Sequence, residues 1–513
     1  MRKFLCFLLC CLAVFSALCP LPSGKAFAAE DLELNIMNWE EYIDEGDDET
    51  PSVIDSFIEY YKDKYGKTVT VNYSTQGTNE NMYTELNVNK NHYDLVCPSE
   101  YMIQKMIKED MLEPINRTSL NVDVYDSGVS PYIANLFKQI TIDGKSLYDY
   151  ACCYMWGTMG YVYNPLFVDQ SDVEHWSAVW NEKYDNKCTI KDSVRDSYVL
   201  ALGYSYSKQL LELADQWKKG EITAEEYNLQ ITEIFNKTDY QSLSLALDCL
   251  KVLNDSLYGY EVDSGKKDMA AGKIWINFAW SGDAVYALDY AEDPDMVGQS
   301  TAELYYTVPL EGSNIFFDGW VMPKGANVEL AQEFINFIQR PDIALRNMWY
   351  IGYTTSIATE EIFDYLVDEE EGYGYREEDV TLIDGAYFVG EGEDLTEVFP
   401  VDLTYLFARE AGDSYVVYTD TLGRQFSAQY PDFDTVNRCT VMRHLSDSEL
   451  TELNNIWADS KEGTSGTKGL YIAIAIAFGL IVFAAAAIWV DKTGILNRHG
   501  KKGYTVVKKE DIY

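Results

Sequence analysis

Two large aromatics close the first apolar run after residue 28. Asn38-Trp39-Glu40-Glu41-Tyr42 follows Leu32-Glu33-Leu34-Asn35-Ile36-Met37. A ring face beside carboxylates suits a cation with an apolar stem, because each ring attracts positive charge by roughly 0.5–2 kcal/mol. In an open α/β sheet the C-terminal end of a strand is also the edge where ligands sit. Catalytic groupings are missing from the sequence. Its histidines are His92, His175, His444 and His499, none in HExxH spacing, and there is no GxSxG or phosphate-loop pattern. Asp and Glu pairs are too abundant for any one pair to mark a glycosidase. The residues therefore describe a binding protein with no cofactor, not an enzyme.

At 513 residues the chain is long enough for two lobes with their own cores. Asp and Glu number 83 against 40 Lys and Arg, a formal net charge of -43. Nucleic acid is excluded as a partner, since phosphate binding needs a basic surface. Such acidity solvates a surface and also steers cations toward it. Arg2 and Lys3 precede the apolar run Phe4 to Leu18, and Ala26-Phe27-Ala28 supplies small residues for cleavage, so residues 1–28 read as a signal peptide. Beyond it lie Cys97, Cys152, Cys153, Cys188, Cys249 and Cys439, with no CxxC and no paired Cys/His spacing, which argues against zinc or another metal. Buried thiols are expected, and a disulfide stays open for an exported chain.

Residues 469–490 are uncharged and apolar, with Tyr471 and Trp489 near the ends. Lys492, Arg498, Lys501, Lys502, Lys508 and Lys509 follow. The expectation is a transmembrane helix, a flexible linker at 458–468 before it and a cytoplasmic tail at 491–513. The bulk of the chain would then be an extracellular ectodomain on a single-pass cell-membrane anchor.

Strand and helix alternate between these ends. Leu32–Asn38 reads as a strand, and Pro51 and Ser52 open a helix with Val53, Ile54, Phe57, Ile58 and Tyr61 on one face. Thr68–Ser74 reads as a strand, Asn79–Val88 as a helix and Tyr93–Pro98 as a short buried strand. That rhythm implies parallel sheets flanked by helices. Further pieces are Trp156–Tyr163, helices around Val199–Lys219 and Ala224–Asn236, Lys273–Trp280, the strand Asp318–Pro323 and the helix Val328–Gln339. Glu360 to Asp379 is acidic and rich in Gly and Tyr, and reads as a surface insertion.

Several segments, taken in order, resemble the spermidine/putrescine-binding proteins of ABC polyamine importers. They are Asn38-Trp39-Glu40-Glu41-Tyr42, Tyr73-Ser74-Thr75 with Asn79-Glu80-Asn81-Met82-Tyr83, and the run from Tyr93 to Tyr101. Ala279-Trp280-Ser281-Gly282-Asp283-Ala284, Asp318-Gly319-Trp320-Val321-Met322-Pro323, the run from Ile335 to Asp342 and Ile351-Gly352-Tyr353-Thr354-Thr355 complete the match. The resemblance implies a two-lobed, type II periplasmic-binding-protein-like α/β fold. Lobe 1 would take residues 29–155 and 317–360, and lobe 2 residues 156–316 and 361–457. It also implies a ligand clamped between the lobes by Trp39, Tyr42, Ser99, Tyr101, Asp196, Trp280, Phe316, Asp318 and Tyr353. Asp196 and Asp318 would pair with ammonium groups, one from each lobe, while the aromatics wall the methylenes. The implied partners are a polyamine and ABC permease subunits with their cytoplasmic ATPase, the chain itself being a monomer.

Three positions depart from that family pattern. Ser193 stands where relatives often carry an acid, Phe316 where a Trp is familiar, and Glu100 where a smaller neutral residue is familiar. They leave the preferred polyamine open. The alternative within the same fold is a membrane-anchored sensor or binding protein for another small cationic solute. A ferric ligand fits less well, since it wants clustered oxygens where these positions offer Trp faces.

Overall fold

The computed structural model describes residues 32–117, 123–292, 303–368, 372–390 and 395–462. The strand Leu32–Asn38 buries Leu34, Ile36, Met37 and Asn38 and pairs in parallel with Val69–Thr75 and with Leu95–Val96. The helices between them begin where the sequence supplies caps. Ser52 accepts from the Asp55 N–H to open Val53–Tyr65, and Thr78 accepts from the Asn81 N–H to open Asn79–Val88. Gly66, at φ 67°, ends the first of these helices in the left-handed region that glycine tolerates.

A second parallel trio is built from Ile276–Trp280, Cys188–Lys191 and Gly259–Glu261. Two long antiparallel strands, Ala151–Tyr163 and Ser313–Pro323, run between the trios, and every residue of both is buried. Leu95–Val96 joins the central pair on one side and Ile276–Trp280 on the other, both antiparallel. Each half thus has its own parallel sheet, and the chain passes between halves on paired strands.

The register of the central pair slips once. Asp318 faces Met155 and Gly319 faces Cys153, so Tyr154 is an extra residue at a bulge. Bulges re-aim neighbouring side chains. Here the slip lies immediately beyond Phe316 and Asp318, both of which reach the cleft described below.

The crossing strands are longer than the expected Trp156–Tyr163 and Asp318–Pro323, because an all-buried strand has no alternation to mark its ends. The helical stretch expected over Val199–Lys219 is two helices, Val194–Ser205 and Ser207–Lys218, separated at Tyr206. The acidic segment after Thr359 opens with the helix Glu360–Leu366, whose Ile362, Phe363 and Leu366 are buried. A four-stranded antiparallel sheet follows, made of Thr381–Ile383, Ala386–Val389, Thr396–Asp402 and Val416–Thr419. Cys97, Cys152, Cys153, Cys188, Cys249 and Cys439 are all free, and all but Cys249 are buried.

The expected architecture needs one correction. No helix among the described residues is long and apolar enough to cross a membrane, so the transmembrane helix is removed from the fold class. The stretch 469–490 on which it was placed lies outside the described residues, as do the signal peptide at 1–28, linker residues 463–468 and the tail at 491–513.

Candidate ligand-binding site

The C-terminal ends of the parallel strands in both halves open on one cleft with about 900 Å³ of empty space, part of it open to solvent. Trp39 and Tyr42 reach it from a tight turn after the first strand. Asn38 holds that turn by donating to Tyr73 Oη (2.9 Å) and the Tyr42 carbonyl (3.4 Å), and Glu41 takes the left-handed conformation at φ 50°. All nine side chains expected from the sequence, Trp39, Tyr42, Ser99, Tyr101, Asp196, Trp280, Phe316, Asp318 and Tyr353, line this cleft.

Asp318 sits at its floor. Tyr42 Oη donates to Asp318 Oδ2 at 2.7 Å, and Ser99 Oγ donates to Asp318 Oδ1 at 2.7 Å. Asn79 orients Ser99 in turn, donating to its Oγ at 3.0 Å and accepting from its N–H at 2.9 Å. Burial pushes the Asp318 carboxyl up to about 6, against those two hydrogen bonds. Asp196 lies in the first turn of Val194–Ser205, a helix that Ser193 caps. Burial pushes Asp196 up to about 6 as well, although the Ser193 hydroxyl and the Lys191 charge pull it down. Neither Asp196 nor Asp318 belongs to an ion pair among the described residues.

The aromatic wall is continuous from Tyr42 through Tyr353 to Phe316. Tyr42 meets Tyr353 edge-on at 4.8 Å, and Phe316 meets Tyr353 at 6.2 Å. Tyr353 fits only because residue 282 is glycine: a Cβ there would lie 2.1 Å from the ring. Tyr101 donates to Glu80 at 3.3 Å and carries the Arg195 guanidinium 4.4 Å from its ring centre.

Sequence reasoning overlooked a group of charges in the same cleft. Lys191 ends its strand with a side chain only 1% exposed. Its Nζ lies 2.8 Å from Asp283 Oδ2, 3.0 Å from Glu261 Oε1 and 4.1 Å from the Trp280 ring centre. Lys266 reaches across the cleft to Glu41 Oε2 at 2.9 Å, and Tyr353 Oη donates to Asp283 at 3.0 Å. Burial alone would lower the Lys191 ammonium, but Asp283 and Glu261 outweigh it and hold it above the ordinary lysine range. Likewise burial would raise Asp283, while Lys191 and Lys266 hold it below the usual carboxylate range. A lone lysine ending the apolar strand Cys188–Lys191 was the available sequence signal.

The departure at Glu100 adds no ligand charge near neutral pH. Burial pushes its carboxyl up to about 8, while its oxygens accept from the Phe317 N–H (3.1 Å) and the Met442 N–H (3.2 Å). The side chain ties backbone segments together beneath the cleft.

Two parallel-sheet halves joined by crossing strands, with one deep cleft between strand ends, define a two-lobed solute-binding protein. The chain belongs to the bacterial extracellular solute-binding protein family, whose profile matches residues 56–362. That family binds solutes and is not catalytic. Among relatives, the spermidine/putrescine-binding periplasmic protein of Escherichia coli is 28% identical over 337 residues, covering 65% of this chain and 80% of its own. A putrescine-binding periplasmic protein of Pseudomonas aeruginosa is 27% identical over 341 residues, covering 63% and 77%. In structure, the chain is similar to a spermidine/putrescine ABC transporter substrate-binding protein of Streptococcus pneumoniae. That likeness has a TM-score of 0.52 at 24% identity over 84% of this chain and 99% of the other, and it shows the shared fold. The expected single-pass cell-membrane localisation is also corrected. The relatives are named as periplasmic proteins, and no described helix crosses a membrane.

Proposed function

We propose that this chain is the solute-binding component of an ABC importer for polyamines, holding putrescine or spermidine in the cleft and presenting it to permease subunits. One observation carries the reading. Asp196 and Asp318 come from opposite halves, are both buried, and face one aromatic-walled cleft without an ion-pair partner among the described residues. A buried carboxylate is costly unless a cation neutralises it, so the cleft is built to receive positive charge. Trp39, Tyr42, Tyr101, Phe316 and Tyr353 offer apolar faces for methylenes between the ammonium groups, and Ser99 holds Asp318 in place. The names of the relatives supply the ligand class.

Closure follows from the same geometry. Glu41 to Lys266 and Tyr353 to Asp283 already bridge the cleft, and a cation between Asp196 and Asp318 adds a third link that favours the closed population. A thermal-melting panel tests the reading. A ligand present at 1,000 times its Kd stabilises a fold by about 4.1 kcal/mol. Putrescine or spermidine should raise Tm by several degrees, while arginine and ferric citrate leave it in place. A panel in which only arginine or the ferric salt protects overturns the polyamine assignment.

A further inference from the structure

The Trp280 ring, expected from the sequence as a platform for a ligand cation, already carries one from the protein. The Lys191 ammonium spends its donors internally, giving one hydrogen bond to the Val262 carbonyl at 2.7 Å and lying within 3.0 Å of both Asp283 and Glu261. Of the three donors an ammonium has, two are given to Val262 and Asp283, and Glu261 Oε1 at 3.0 Å adds a charge contact. Lys266 plays the same part nearer the mouth, with Glu41 at 2.9 Å, Asp263 at 3.6 Å and Asp283 at 3.7 Å. Asp192 is paired with Lys461.

Glu40 is exposed, Glu80 is half-buried and accepts from Tyr101, and Glu100 is held by backbone N–H groups. The remaining acids of the cleft fall into two sets. Glu41, Glu261, Asp263 and Asp283 are matched by Lys191 and Lys266, whereas Asp196 and Asp318 are buried and uncompensated. Two buried, uncompensated carboxylates match two buried ammonium groups. A third buried ammonium at the Trp280 end would meet Lys191 and Lys266 rather than a free acid, and like charges in a desolvated site repel.

We propose that Lys191 is a specificity-determining residue, an internal ammonium that fills the cation subsite formed by Trp280, Asp283 and Glu261 and restricts the ligand to a diamine of the putrescine class. The inference rests on the polyamine reading above and adds the charge count of the ligand. Removing the Lys191 charge while keeping its stem leaves Glu261 without a cation and Asp283 with only Lys266, at 3.7 Å, beside a bare Trp face. That creates the site a triamine needs for its third ammonium.

Calorimetric titrations of the wild-type protein and K191M with putrescine and spermidine test the proposal. Wild type should bind putrescine more tightly. In K191M the affinity ratio should move toward spermidine by at least about 10-fold, the factor that 1.4 kcal/mol carries. The charge-compensated variant K191M/E261Q/D283N has no stranded acid and should fold even where K191M does not; its ratio should return toward putrescine. A wild-type protein that prefers spermidine overturns the proposal whatever the variants do. So does a folded K191M whose ratio is unchanged, or a triple variant that keeps a K191M-like preference for spermidine. Absence of heat with both polyamines in wild type is a different failure, that of the polyamine reading itself.

Discussion

Lowering the pH from 7.5 to 5 should weaken polyamine binding through Asp196 and Asp318. Burial pushes both carboxyls of the ligand-free protein up to about 6, with a further rise from the Asp196 charge at Asp318 and from the Glu80 charge at Asp196. The sign follows from which state needs the charge. A bound ammonium requires the ionised carboxylate, so a proton must leave each acid below pH 6 before the ligand is paired. At pH 5 an acid of pKa 6 is protonated about tenfold over ionised, which costs roughly 1.4 kcal/mol per carboxylate. If both are ionised in the complex, affinity falls by about 100-fold between pH 7.5 and pH 5, in two overlapping steps belonging to the pair. The ligand-free fold behaves in the opposite sense. Its raised carboxyls bind more protons than the unfolded chain does between about pH 4 and 6, so their contribution to stability is lost as pH rises through that window. Titration calorimetry at several pH values, repeated in buffers of different ionisation enthalpy, measures both affinity and protons released. Proton release near pH 5.5 that vanishes above pH 7 is the expected pattern. An affinity that stays flat from pH 7.5 to 5 refutes the assignment of these two acids to the ligand.

Two substitutions extend the test. Asp318→Asn should weaken binding by about 2–5 kcal/mol, the scale for breaking a buried charge pair, while the ligand-free protein melts no lower because an uncompensated buried charge has gone; an unchanged affinity removes Asp318 from the site. Glu100→Gln should lower stability by about 1–3 kcal/mol, because one of the Phe317 and Met442 N–H groups loses its acceptor, yet leave polyamine affinity near wild type. Loss of affinity matching that of the Asp318 variant would instead make Glu100 a ligand carboxylate.

Much of the scaffold was legible because local signals agreed. Leu32–Asn38 and Asn79–Val88 have the boundaries that apolar periodicity and caps imply. The aromatics and acids expected from the sequence meet in one cleft because nearly all of them close a parallel strand or lie just past one, or sit on a crossing strand next to its bulge. The crossing strands themselves were cut short in the reading, since uninterrupted burial erases the period that marks a strand end. The antiparallel sheet from Thr381 to Thr419 was hidden for the opposite reason: its first strand is fully exposed and has no apolar face to betray it. Lys191 shows the deeper limit. Its partner Asp283 lies 92 residues away, and nothing local reveals that a lysine at a strand end will be buried against a carboxylate and an indole.

Direct titration of the purified protein with putrescine and with spermidine bears most immediately on the whole account. The expected result is a saturable one-to-one heat with at least one of them and none with arginine. Absence of heat with both, from a protein that melts cooperatively, would contradict the polyamine function.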